Sequence, residues 1–316
     1  MILKNKLKLT YPVSILVNNL CNMTCSHCAG LAMYDFKGNS RWAESAEKYA
    51  KWGQILDVPE ISLCGGEPYL NPDLDLWFEE VRKIWPNVFI EVMTNGTRMS
   101  KKMDFSRKVF LDGNARVTVS CHEEETFDEI KKEIEDTLSP WGTRVSSIET
   151  PGIEFETNKT IQYFIDGREV CKFMKITEMY LPYHKTVENG TVYFEMGGDQ
   201  EASHTSCGWK AVYTFQHGLL YKCPPVTNYP DAKLQVRYET EAQEILEKYK
   251  GCDPFLPIDQ VREFVNNLDK SIEVCKLCAF DKRPNNDTPR QKVTLDVNRK
   301  KQFKEGGKFI EILREL

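Results

Sequence analysis

Val13-Ser-Ile-Leu-Val17 is a short β-rich apolar run, and it feeds into Leu20-Cys-Asn-Met-Thr-Cys-Ser-His-Cys-Ala29. The three cysteines, Cys21, Cys25 and Cys28, are spaced C-x3-C-x2-C. Three thiolates at the mouth of a strand can hold three irons of a [4Fe–4S] cube and leave the fourth iron open to another ligand. Zinc is the competing occupant, but a tetrahedral site wants a fourth ligand. His27, between two of the cysteines, is poorly placed to supply it. Disulfides are the third option. The start, Met1 to Leu9, has no long apolar core of the kind a signal peptide needs, so an intracellular, cytoplasmic chain is expected, and clustered cysteines there point to metal.

The 316 residues suffice for one large domain or two smaller ones, each with its own core. Composition is ordinary for a soluble protein, at 41% hydrophobic, 28% charged and net charge −5. No apolar stretch approaches the ~20 residues needed to span a bilayer, so no membrane partner is expected. The acidic balance gives no push toward nucleic acid. Residues 282–304 are locally basic, with eight Lys or Arg against two Asp, and read as a solvated tail.

Short apolar runs then alternate with helical spacing. Strands are expected at 13–17, 60–64, 88–93 and 116–120, with weaker ones at 152–155 and 173–180. Helices are expected at about 41–55, 74–84 and 126–138. This alternation predicts a parallel sheet with covering helices, whose reactive groups collect at the C-terminal ends of strands. The second strand ends in Cys64-Gly-Gly-Glu-Pro68. Its glycines permit close backbone approach to a ligand, and a carboxylate follows that suits an ammonium group. Thr94, Asn95, Ser120 and His122 end the third and fourth strands, where capping or turn roles compete with ligand contact. Cys121, at the end of strand four, is placed at the presumed barrel mouth. Cys64, Cys171 and Cys252 are expected to be buried, unreactive thiols.

C-x3-C-x2-C after strand one, with Gly-Gly-Glu-Pro after strand two, resembles the core of the radical S-adenosylmethionine (radical SAM) superfamily over about residues 10–185. The resemblance implies an α/β fold, a partial (β/α)6 TIM-like barrel. It implies Cys21, Cys25 and Cys28 as ligands of a [4Fe–4S] cluster whose open iron chelates S-adenosylmethionine. It places Gly65, Gly66 and Glu67 near the methionyl amino group. His27 stands where family members often carry an aromatic residue, against adenine; Thr94, Asn95 and Ser120 lie where ribose contacts fall. Reductive cleavage would then give a 5′-deoxyadenosyl radical that takes hydrogen from the substrate. An electron donor such as flavodoxin or ferredoxin is implied as partner.

The C-terminal third carries a second set. Cys207 and Cys223 frame an expected hairpin over 210–222 in the pattern C-x10-G-x4-C, and Cys275-Lys-Leu-Cys278 follows. Four thiolates in two pairs suit zinc or a fully ligated [4Fe–4S] cluster, and chemistry alone leans to zinc. The pattern is similar to the shortened auxiliary-cluster (“twitch”) module behind some radical SAM cores, which implies a second [4Fe–4S] cluster. Helices at about 240–249 and 258–268 would pack this module, a hairpin plus helices, against the barrel. The expected division is a core over 1–190, the auxiliary module over 191–285 and a tail over 286–316.

The resulting expectation is an enzyme acting on a small polar substrate, sugar- or nucleotide-like, by oxidation or epimerisation. Only about twelve residues precede the first strand, which counts against a peptide-recognition domain there. A peptide-modifying maturase is the alternative, and a structural zinc protein the alternative of another class. Glu178, His122 and Lys175 are positional candidates for a general base; the catalytic residues themselves are unassigned.

Overall fold

Four strands with alternating helices carry the site. They are β1 (Val13–Asn18), β2 (Glu60–Gly65), β3 (Phe89–Thr94) and β4 (Ala115–Cys121), in that order and parallel. Between them run α1 (Trp42–Ile55), α2 (Leu74–Ile84) and α3 (Met103–Leu111), and α4 (Phe127–Leu138) follows β4. The computed structural model describes residues 6–23, 40–122, 124–151, 157–176, 178–179, 185–188, 191–194, 199–227, 236–238, 240–278 and 293–294.

Side-chain alternation along each strand separates two faces of the sheet. Val13, Ile15, Val17, Ile61, Leu63, Ile90, Val92, Val117 and Val119 are fully buried on the helix-covered face. Trp42, Tyr49 and Trp52 of α1 and Trp77 of α2 pack over them. Trp42 stacks on Tyr49 at 5.4 Å, and Trp77 meets Trp42 edge-on at 4.9 Å. Burial on this scale contributes roughly 2–3 kcal/mol per large side chain. The opposite face is polar. Ser14, Ser62, Glu91 and Arg116 form one row across β1 to β4, each opposite the next.

The chain then leaves the strand–helix alternation. β5 (Val145–Pro151), β6 (Thr157–Ile165) and β7 (Arg168–Ile176) form an antiparallel meander, and β7 lies parallel to β4. Asp166 and Gly167 both have positive φ, 50° and 81°, so a two-residue turn joins β6 to β7. The expected fifth strand at 152–155 lies outside the described residues. The sixth, at 173–180, overlaps β7 but belongs to this hairpin rather than to a β/α unit.

A sixth parallel strand arrives from the C-terminal third. After α5 (Gln200–Thr205), β8 (Tyr213–Gln216) pairs parallel with β1, and β9 (Leu219–Tyr221) folds back on β8 through His217 and Gly218. The sheet order is β9-β8-β1-β2-β3-β4-β7-β6-β5. Among the described residues β9 and β5 are its edges, so the barrel is open. The fold is mixed α/β with a mainly parallel sheet, as expected. The Trp52 indole donates to the Gly218 carbonyl at 2.8 Å, tying α1 to the hairpin turn. Backbone bonds of 3.0 and 2.8 Å between Leu220 and Cys252 fasten β9 to the segment between α6 (Thr240–Lys248) and α7 (Ile258–Asn266). No described helix is long and apolar enough to cross a membrane.

Candidate active site

Three loops meet at the C-terminal ends of β1, β2 and β3. The first, Asn18 to Met23, carries Cys21, which is half-buried. Cys25, His27 and Cys28 lie outside the described residues. The second is Gly65-Gly66-Glu67, and the third is Thr94-Asn95-Gly96-Thr97.

The first two loops extend the β1–β2 pairing. The Gly66 N–H donates to the Asn18 carbonyl at 2.6 Å, and the Glu67 N–H to the Leu20 carbonyl at 2.9 Å. The Asn18 side-chain amide donates to both the Leu20 and the Glu67 carbonyls at 2.8 Å. A Cβ on Gly65 would lie 1.9 Å from the Asn18 oxygen, and one on Gly66 would lie 2.3 Å from the Leu20 oxygen. Gly65 also holds φ at +142°. The glycines therefore admit the chain's own cysteine-bearing loop, where the sequence suggested approach to a ligand.

Glu67 is fully buried. Its carboxylate accepts the Thr94 hydroxyl at 2.6 Å, the Asn95 N–H at 2.7 Å and the Tyr69 N–H at 3.0 Å. Burial pushes its pKa up to about 6, against the pull of these three donors and of Arg98. The side chain thus braces the second loop against the third. The acceptor this loop can offer an ammonium group is its backbone.

Asparagines lock the first loop to the third. Asn95 donates to the Asn22 side-chain oxygen at 3.0 Å, and Asn22 donates to the Thr97 hydroxyl at 2.7 Å. Thr97 returns its N–H and hydroxyl to Asn95 at 3.0 and 2.6 Å. Thr94 and Asn95 are both buried, so the structure shows them in the turn and capping role. Ser120 is half-buried on the polar face of β4, beside Met174 of β7. Cys121 is fully buried on the helix-covered face with Val117 and Val119, which corrects its expected place at the mouth. Cys64, Cys171 and Cys252 are thiols raised by burial, Cys64 to about 12 and Cys252 to about 11. His122 follows β4 and is half-buried, Lys175 lies on β7, and Glu178 lies in a two-residue strand that pairs with Val293–Thr294.

The loop with the cysteines also closes at its base. The Ser40 N–H donates to the Val17 carbonyl at 3.2 Å. Fully buried Asn71 donates to the carbonyls of both Val17 and Ser40, and the Trp77 indole adds a 3.0 Å bond to Ser40. Asn18, Asn22, Asn71 and Thr97 were not singled out by sequence reasoning; the signal was a set of Asn and Thr residues close behind strand ends.

The second cysteine set sits at the other end of the sheet. β8 runs parallel to β1, so Cys207 before it and Cys223 after β9 flank the N-terminal end of β1. Six residues of strand, about 20 Å, separate that end from Cys21. The Cys223 N–H donates to the Tyr249 hydroxyl at 2.9 Å. Cys275 lies in the turn Glu273–Leu277, and the Cys278 carbonyl accepts from Ser203 at 3.1 Å. Burial raises the Cys223 thiol well above its ordinary value, and the nearby Cys278, Cys275 and Cys207 raise it further. The structure thus gathers all four thiols in one neighbourhood. Among the described residues no three His, Cys, Asp or Glu side chains converge at metal-binding distances. The donor set suits a thiolate-ligated cluster. Lys222, 6% exposed, lies among these thiols, and its Nζ has no hydrogen-bond partner among the described residues. A buried cation there favours an anionic occupant.

The Radical SAM superfamily description matches residues 15–149. A GTP 3′,8-cyclase from Aquifex aeolicus is 30% identical over 121 residues, covering 36% of this chain and 37% of that protein. A GTP 3′,8-cyclase from Nautilia profundicola is 22% identical over 192 residues, covering 57% and 58%. The chain thus spans between about a third and three fifths of these relatives. Streptococcus suis SuiB bound to S-adenosylmethionine superposes over 37% of this chain and 26% of that one, at 17% identity and a TM-score of 0.29. With the cysteine-bearing loop and the Gly-Gly-Glu loop paired at the ends of adjacent parallel strands, residues 15–149 form a radical SAM domain.

Proposed function

We propose that the chain is a radical SAM enzyme that binds a [4Fe–4S] cluster through Cys21, Cys25 and Cys28. The observation that carries this reading is the backbone pairing of Asn18–Leu20 with Gly66–Glu67, which holds the start of the cysteine loop against the Gly-Gly-Glu loop. When bound, the cluster supplies the electron that cleaves S-adenosylmethionine to a 5′-deoxyadenosyl radical. The chain's own residues bind and orient. Backbone carbonyls at 65–67 take the methionyl ammonium, Glu67 and Asn22 hold the loops around it, and Ser120 faces the ribose side, with His27 toward adenine.

The substrate lies on the polar face between the two cysteine sites. Glu91 there accepts from Arg116 at 2.8 and 2.9 Å and from Thr118 at 2.5 Å, and Arg116 also reaches Glu169 at 3.4 Å. Such a row suits a polar ligand, and the relatives named for GTP favour a nucleotide-like substrate over a sugar. Hydrogen abstraction from that substrate is the reaction class, with oxidation or epimerisation as its outcome. Cys207, Cys223, Cys275 and Cys278 hold a second, fully ligated [4Fe–4S] cluster within a module over 191–285, behind a core over 1–190.

The test is anaerobic reconstitution, dithionite reduction and assay of 5′-deoxyadenosine in wild type and Cys21→Ala. Expected are about eight irons per chain, falling to about four when Cys223 and Cys275 become alanine, and cysteine-dependent 5′-deoxyadenosine. Iron-loaded wild type that forms none would overturn the catalytic reading. A colourless protein carrying zinc would return both sites to structural roles. Nucleotides, sugars and peptides are then compared as substrates; turnover only with peptides would replace the nucleotide reading.

A further inference from the structure

Lys222 sits between β9 and Cys223, at 6% exposure. Its ammonium is buried and, among the described residues, makes no hydrogen bond. Most buried ammonium groups are paired, because water lost from the charge must be replaced. The groups whose charges act on Lys222 are Cys275, Asp269, Cys223 and Cys207, and His204 of α5 also feels its charge. Three of the four cysteines of the second set therefore surround a cation held without a direct partner. The backbone fixes it there. The neighbouring Cys223 N–H is bonded to Tyr249, whose ring packs on Tyr221 at 5.6 Å, and Gly251 presses closely against the Tyr221 ring.

A cube with four thiolate ligands carries net negative charge, and its sulfurs accept hydrogen bonds. Such bonds and nearby charge are among the levers that set a cluster's potential. We propose that Lys222 is a positioning residue of the second cluster: its ammonium donates to the cluster's sulfurs and holds its reduction potential above that of the same cluster without the cation. The inference rests on the reading of Cys207, Cys223, Cys275 and Cys278 as a cluster site. It adds the residue that tunes that site. A tuned potential suits a cluster that takes up an electron at a distance from Cys21, rather than one that only staples the hairpin.

The test uses the full chain with Cys21, Cys25 and Cys28 changed to alanine, so that only the second cluster is loaded. Iron content and an EPR-monitored redox titration are read in this background, with and without Lys222→Met. The expected result is unchanged iron with at least a tenfold fall in the reduced-to-oxidised ratio at fixed poise, ~59 mV for a one-electron couple. Lys222→Arg, which keeps the charge, should return the ratio to within threefold of wild type. Unchanged iron and unchanged potential in Lys222→Met would overturn the inference while leaving the cluster in place. A background that holds no iron would instead remove the cluster reading, and this inference with it. If Lys222→Met fails to load, Lys222→Gln is titrated in its place, and an unchanged potential there overturns the inference equally.

Discussion

The Glu67 carboxylate accepts the Asn95 N–H at 2.7 Å, so the loop after β2 is latched to the loop after β3 by a fully buried side chain. Thr94 and Tyr69 complete its coordination. Glu67→Gln replaces one acceptor oxygen by an amide that faces donors, at a cost of about 1–3 kcal/mol. The pH dependence supplies a sharper check. Burial raises the folded pKa to about 6 from the ordinary 4.5, so the fold binds a proton more readily than the unfolded chain. Glu67 therefore contributes stability that is fully present below pH 4.5 and lost as pH rises through 6, about 2 kcal/mol in all. Thermal melts of wild type against Glu67→Gln across pH 4.5–7 should show this slope in wild type alone. Equal slopes would mean that the carboxylate is ionised throughout.

Gly66→Ala is expected to damage the site more than the fold. The new Cβ would stand 2.3 Å from the Leu20 carbonyl oxygen, too close for contact, with rigid backbone on both sides. The Asn18–Leu20 segment must then move away, taking Cys21 with it. A loss of about 2–4 kcal/mol follows from backbone strain. Iron retained after gel filtration should fall while far-UV circular dichroism stays near wild type. Full iron loading in this variant would show that the pairing of the two loops is dispensable.

Much of this arrangement was legible in the sequence. Period-2 runs marked β1 to β4, and the glycines of Gly65-Gly66 marked a close approach. What they approach was not legible, because a glycine announces space without naming the neighbour that fills it. The meander was missed although Asp166-Gly167, between two alternating runs, is a strong hairpin signal. Reading strand–helix alternation onward past β4 overrode it. Cys121 could have been placed correctly from register alone, since it shares parity with Val117 and Val119 on the helix-covered face. The Asn22–Asn95–Thr97 lock joins residues more than 70 positions apart, and only the fold brings them together.

On the polar face, Arg116 neutralises Glu91, whose side chain is 11% exposed. Arg116→Met would leave that carboxylate buried with only Thr118 and a long Ser62 contact. Removing one partner of such a pair costs about 3–5 kcal/mol, whereas Glu91→Gln with Arg116→Met should recover most of it. A denaturant double-mutant cycle measures the difference. Additive losses would show that the pair does not interact in solution, and the polar face would lose its central fixed charge.

Asn71 and Trp77 hold the two ends of the cysteine loop together at Ser40 and Val17. Asn71→Asp keeps the oxygen that accepts the Asp73 N–H at 2.8 Å but turns the two donated bonds into repulsion between a carboxylate and two carbonyls. Asn71→Ala removes them without repulsion and leaves the carbonyls buried, at about 1–3 kcal/mol. If the bonds serve the loop, iron loss to a chelator should accelerate in both variants, and more in the aspartate. Tyr69→Phe, which removes a buried bond to Ser106 of α3 outside the loop, is the matched control. It should lower stability by a similar amount without changing the rate of iron loss. Equal acceleration in all three variants would show that global unfolding governs release, and that the clamp has no separate hold on the cysteines.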